Sequence, residues 1–105
     1  MFYTPKTSHK LLHDPFKAIV APRPIGWISS IDKNSNVNLA PYSFFNAIAD
    51  DPPMVMFATN GEKPDNMGIK DSLSNITQTK EFVVNTVSKS LLMSMNLTSG
   101  NYSKD

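Results

Sequence analysis

Apolar positions along the chain fall in short runs divided by polar turn clusters. Trp27 to Ile31 alternates β-branched, aromatic and serine positions and predicts a strand. Asp32 to Asn36 (DKNSN) is a turn cluster, and Val37 to Ala40 returns as a partner strand, so a hairpin is the simplest arrangement. Upstream, Pro22 and Pro24 cannot donate ladder hydrogen bonds, which places them at a strand start, an edge or a bulge. PYSFFNAIADDPP mixes aromatic and turn residues and ends on a break at Asp50-Asp51-Pro52-Pro53. Met54 to Thr59 is a continuous apolar run, the pattern of a strand covered on both faces.

After a loop punctuated by Gly61, Pro64 and Gly68, Ile69, Leu73 and Ile76 lie at helical spacing, with Asp71 or Ser72 available as the cap. EFVVNTV predicts another strand, and Ser88 could cap a last helix in which Leu91, Leu92 and Met95 share a face. Strands first and short helices later suit a mainly β fold with short helices, an α+β domain, better than alternating βαβ units. Residues 1–16, with Pro5 and Pro15, read as an amino-terminal arm, and residues 17–105 as the domain. The polar SGNYSKD end reads as a fraying tail.

Composition narrows the function. Leu, Ile, Val and Phe make up 26 of 105 residues, enough for a packed core. Ten basic against nine acidic residues give a formal charge of +1, which offers no electrostatic reason to expect nucleic acid or an anionic membrane. The absence of cysteine excludes disulfides, thiolate metal sites and cysteine nucleophiles. No apolar stretch approaches a membrane span, and MFYTPKTSHKLLHDPF has no signal-peptide core, so the expected location is cytoplasmic.

No catalytic constellation stands out, and no metal site is expected. His9 and His13 are four apart, but no acidic residue sits between them at a zincin position. The twelve serines include no GxSxG elbow, and there is neither a GxGxxG nor a Walker-type loop. Two features carry chemistry. The helix start at Ile69-Lys70-Asp71-Ser72 offers backbone N–H groups, a positive dipole end, an ammonium and a hydroxyl, which suit an anion; a solvated lysine beside an ordinary cap is the bland alternative. Trp27, Ser29, Ser30, Tyr42, Ser43, Phe44, Phe45 and Asn46 mix rings with hydroxyls, which can line a groove for a flat heteroaromatic ligand or form an ordinary aromatic core.

VAPRPIGWISSID, NLAPYSFFNAIADDPPMVMF, the NG turn, KDSLSNI, EFVVN and MNLTSGNY occur in an order that resembles the flavin reductase-like family, flavoredoxin-type proteins with an FMN-binding split β-barrel. The resemblance runs from Phe16 to about Tyr102. It implies a partial split barrel that binds FMN, pairs as a homodimer, and moves hydride or electrons between NAD(P)H and flavin. It places Trp27, Ser29 and Ser30 beside the flavin and its ribityl chain. Ala40, Pro41, Tyr42, Ser43 and Phe44 would hold the ring edge, Asn60 would lie close to the site, and Lys70, Asp71 and Ser72 would meet the phosphate. The cofactor would carry the chemistry, so no side-chain acid or base is needed.

Two departures accompany the resemblance. The loop from Glu62 to Ile69 is longer than expected, and the family domain is nearly twice this length, with further strands that close the barrel. A truncated, non-catalytic module that dimerises and binds flavin weakly or not at all is therefore the second reading. A plain interaction domain is the third.

Overall fold

The computed structural model describes residue 4, residues 11–13, 15–61 and 68–100, and residue 102. In chain order the elements are α1 (Pro15–Ile19), β1 (Gly26–Ile31), β2 (Val37–Tyr42), β3 (Phe45–Asp50), β4 (Pro53–Phe57), α2 (Asp71–Thr79), β5 (Val83–Asn85), a 3₁₀ turn (Lys89–Leu91) and α3 (Leu92–Leu97). His9, Asn101 and most of the arm and of the 62–69 loop lie outside the described residues.

Pro22 and Pro24 precede β1, and regular pairing begins only at Gly26, where backbone donors are available again. β1 and β2 form the expected antiparallel hairpin, with Trp27 opposite Pro41, Ile28 opposite Ala40 and Ser30 opposite Asn38. The turn is locked by Asp32, whose Oδ1 accepts the backbone N–H groups of Asn34 at 2.8 Å and Asn36 at 2.9 Å. Ser35 takes the left-handed conformation there, at φ 68°. β5 pairs with the other side of β1, so among the described residues the sheet order is β2-β1-β5 and β2 is an edge strand. That position accommodates Pro41 within the strand.

The chain then turns through Ser43 and Phe44 into β3, which pairs with β4 in a separate two-stranded ribbon. The ribbon's register shifts between Ala47 and Ala49. Two ring contacts tie the ribbon back to the rest, Tyr42 to Phe57 at 4.9 Å and Phe57 to Phe82 at 5.1 Å, and a third, Phe44 to Phe16 at 6.2 Å, ties the preceding turn to α1. The strand-rich composition with short helices matches the expected class. No helix among the described residues is long and apolar enough to cross a membrane.

Several expectations need correction. Met54, Val55 and Met56 are 45%, 42% and 47% exposed, so β4 is not covered on both faces by this chain. The cap of α2 is Lys70, not Asp71 or Ser72, and it makes no side-chain cap hydrogen bond. Ile69 lies outside the helix and is exposed, as is Leu73, while the fully buried positions of α2 are Ser72 and Asn75. The sheet face beneath the helix presents Ser30 and Asn38, so polar pairing rather than apolar burial seats it. Ser88 precedes a 3₁₀ turn without a side-chain cap bond, and Leu91 and Leu92 are exposed. The elements α1 and β3 lie in stretches without a readable hydrophobic period.

Candidate ligand cleft

The free edge of β2 is the floor of an open cleft of about 550 Å³. One wall is the start of α2, with Lys70, Asp71, Ser72 and Asn75. A second wall is formed by Thr98, Ser99, Gly100 and Tyr102, and the Asp32–Asn36 turn borders the cleft as well. An edge strand carries backbone N–H and C=O groups with no ladder partner, so the floor offers donors and acceptors, save that Pro41 gives only its C=O.

The α2 wall is fixed to the floor by side-chain hydrogen bonds. Asn38 Nδ2 donates to Ser72 Oγ at 2.7 Å, and Ser72 is also hydrogen-bonded to the Tyr42 phenol. Deeper in, Asn75 Nδ2 donates to Ser30 Oγ at 3.3 Å. Burial pushes the Tyr42 phenol above the ordinary tyrosine pKa; the Ser72 bond pulls it down and the Asp71 charge pushes it up. Tyr42 is thus held as a neutral hydroxyl. At the head of α2 the first N–H groups have no acceptor within the helix, and the Lys70 side chain has no lone pair to offer them. An anion placed there meets N–H donors and an ammonium together, with the Asp71 carboxylate opposing it.

Of the residues singled out from the sequence, Ala40, Pro41, Tyr42, Lys70, Asp71 and Ser72 line this cleft. The other six stand elsewhere. Trp27 is buried behind the second wall and donates its indole N–H to Thr98 Oγ1 at 2.9 Å. Ser29 accepts from Asn85 Nδ2 at 3.1 Å, and with Ser30 it borders a smaller hollow of about 210 Å³ against Phe82 and Val83. Ser43 is half-buried in the β2–β3 turn, and Phe44 lies under Arg23, whose guanidinium carbon is 5.4 Å from the ring centre. Asn60 is exposed beyond β4.

Asn38, Asn75 and the second wall were not foreseen. Asn38 was readable as the partner of Ser30 across the hairpin. The wall residues had no signal beyond their quoted block, because a turn 71 residues distant from Trp27 leaves no local pattern.

The model of the flavin reductase like domain matches residues 20–105. The chain belongs to the flavin reductase-like family. It is 40% identical over 97 residues to an uncharacterized protein of Aquifex aeolicus, covering 92% of this chain and 48% of that one. It is 30% identical over 100 residues to the uncharacterized protein YwrF of Bacillus subtilis, covering 95% and 45%.

Among solved structures, nitrilotriacetate monooxygenase component B from Bacillus cereus matches with a TM-score of 0.80 at 28% identity, over 99% of this chain and 50% of that chain. The 2-nitrobenzoate 2-nitroreductase NbaA of Pseudomonas fluorescens gives a TM-score of 0.67 at 28% identity, over 90% and 48%. A split-barrel-domain structure from Shewanella frigidimarina NCIMB 400 gives 0.66 at 25% identity, over 79% and 38%. This flavin reductase-like chain spans about half the length of the curated relatives it matches, and its two open sheets correspond to part of the split barrel. The family is a flavin-related redox family.

Proposed function

We propose that this chain is an FMN-binding flavoprotein domain that serves hydride and electron transfer between NAD(P)H and flavin. The observation that carries the proposal is the meeting, in one cleft, of the unpaired NLAPY strand edge and the head of α2. The first suits the donor and acceptor edge of a flavin ring, and the second suits a terminal phosphate. Lys70 and the α2 N–H groups would hold the phosphate. The backbone of Ala40 to Tyr42 would hold the ring edge. Ser72 and Tyr42 keep the two parts in register through their hydrogen bond.

The chemistry supplied by the flavin when bound is hydride acceptance from NAD(P)H and delivery of electrons onward. No titrating side chain of this chain is assigned a proton-transfer step. The polar atoms of Trp27, Ser29 and Ser30 bond to Thr98, Asn85 and Asn75, which holds these residues in place around the cleft. The reading includes a homodimer and a cytoplasmic location. The exposed β3–β4 ribbon favours one alternative, a non-catalytic split-barrel module that dimerises and binds flavin weakly or not at all.

Equilibrium titration of the purified chain with FMN, riboflavin and FAD tests the assignment. FMN is expected to bind more tightly than FAD. A charge-assisted hydrogen bond contributes roughly 1.5–3 kcal/mol, so Lys70→Ala should weaken FMN binding by about one to two orders of magnitude. Riboflavin, which lacks the phosphate, should be nearly unaffected. Equal losses for both ligands, or tighter binding of FAD, would overturn the respective part of the proposal.

A further inference from the structure

The second wall of the cleft is held more firmly than an ordinary helix end. The Thr98 hydroxyl accepts from Trp27 Nε1 and donates to the Met95 carbonyl at 2.7 Å. Ser99 bonds the Asn96 carbonyl through its N–H at 3.1 Å and through its hydroxyl at 2.6 Å. The Gly100 N–H reaches the Leu97 carbonyl at 3.1 Å. The Tyr102 hydroxyl donates to that same carbonyl at 2.9 Å, so a ring that is 67% exposed is nonetheless tethered. It lies across Gly100, where an added Cβ would stand 3.0 Å from the ring carbons and the hydroxyl.

An exposed aromatic side chain gains little from solvent burial in such a place. Here its orientation is fixed from below by a glycine and at its tip by a hydrogen bond, on the border of a cleft whose floor is an unpaired strand edge. From this we infer that Tyr102 is a stacking platform for the planar ring of the ligand. The inference rests on the flavin reading of the cleft and adds to it the side from which the ring is covered. The anionic end of the ligand then lies at the α2 wall, by Lys70.

A stacking contact acts on the ring, so its loss must be felt equally by ligands that share the ring and differ in the phosphate. The experiment titrates the full chain and its Tyr102→Ala, Tyr102→Phe, Gly100→Ala and Gly100→Ala/Tyr102→Ala variants with FMN and with riboflavin. Thermal unfolding of each variant is measured alongside. Tyr102→Ala is expected to weaken both ligands by the same factor, about three- to tenfold, with an unchanged unfolding midpoint. Tyr102→Phe keeps the ring and drops the tether, so it should fall between the wild type and Tyr102→Ala. Gly100→Ala displaces the ring and should cost less, with no added loss in the double variant, because the two changes act on one contact.

Wild-type affinity in Tyr102→Ala, to within about twofold, would overturn the platform while leaving the flavin reading intact. A loss confined to FMN, or Tyr102→Phe as weak as Tyr102→Ala, would overturn it too. Failure of the wild-type chain to bind either flavin would remove the reading of the cleft and the platform with it.

Discussion

Tyr42 joins three parts of the molecule through one side chain. Its ring packs on Phe57 of the ribbon, its backbone ends the edge strand, and its hydroxyl meets Ser72 at the head of α2. Because burial raises its pKa in the folded state, the neutral phenol contributes its full stability below the unfolded value, near ~10, and that contribution is lost as pH rises through the higher folded value. Tyr42→Phe removes the hydrogen bond to Ser72 and should cost about 1 kcal/mol near neutral pH. The gap between wild type and variant should then narrow above about pH 10, since only the wild type has this phenol to ionise. Paired urea unfolding curves at pH 8 and at about pH 10.5 check the sign. A gap that stays constant would mean that burial does not hold this phenol neutral.

At the scale of elements, β1 and the start of β3 approach closely at Gly26. A Cβ added at Gly26 would stand 2.6 Å from Cδ2 and 2.8 Å from Cγ of Phe45, too near for both to remain in place. Gly26→Ala should therefore destabilise the domain by roughly 1–3 kcal/mol, with part of the loss recovered in Gly26→Ala/Phe45→Ala. Chemical denaturation of the single and double variants measures this. A neutral Gly26→Ala would show that β3 can move away freely.

The same elements show what the sequence discloses. The β1–β2 hairpin was legible because both its alternation and its Asp32 turn chemistry are local. The α2 span was legible from its period, but its buried face was not. Ser72 and Asn75 face the sheet because Asn38 and Ser30 wait there, and that partnership is set by strand register rather than by hydrophobicity. The Lys70 end of the cleft was readable for the same reason as the helix itself. The Tyr102 wall required the fold, because α3 had to be laid beside Trp27 first.

At the scale of the whole chain, apolar burial is sparse. Among the described residues only Trp27, Ile28 and Tyr42 are buried apolar side chains. The radius of gyration is 15.9 Å, against about 13 Å expected for a globular domain of this length. Ile48, Met54 and Met56 on the ribbon, and Val83 and Val84 on β5, are all at least 40% exposed. Such strands pair with another polypeptide more readily than they remain in water. A homodimer or larger assembly is the expected state of this chain, with β4 and β5 contributing to the shared core. Sedimentation velocity at micromolar concentration checks it, and a stable, well-folded monomer would count against it.

Trp27 is the only tryptophan in the chain. Its indole is buried, and its N–H ends on the hydroxyl that anchors one side of the cleft. Indole emission depends on the polarity and hydrogen bonding around the ring, so light absorbed at the red edge of the protein spectrum interrogates that single junction. The chain therefore carries its own optical gauge. A shift in emission colour tracks the seating of Thr98 against β1, without a label and without a second tryptophan to blur the reading.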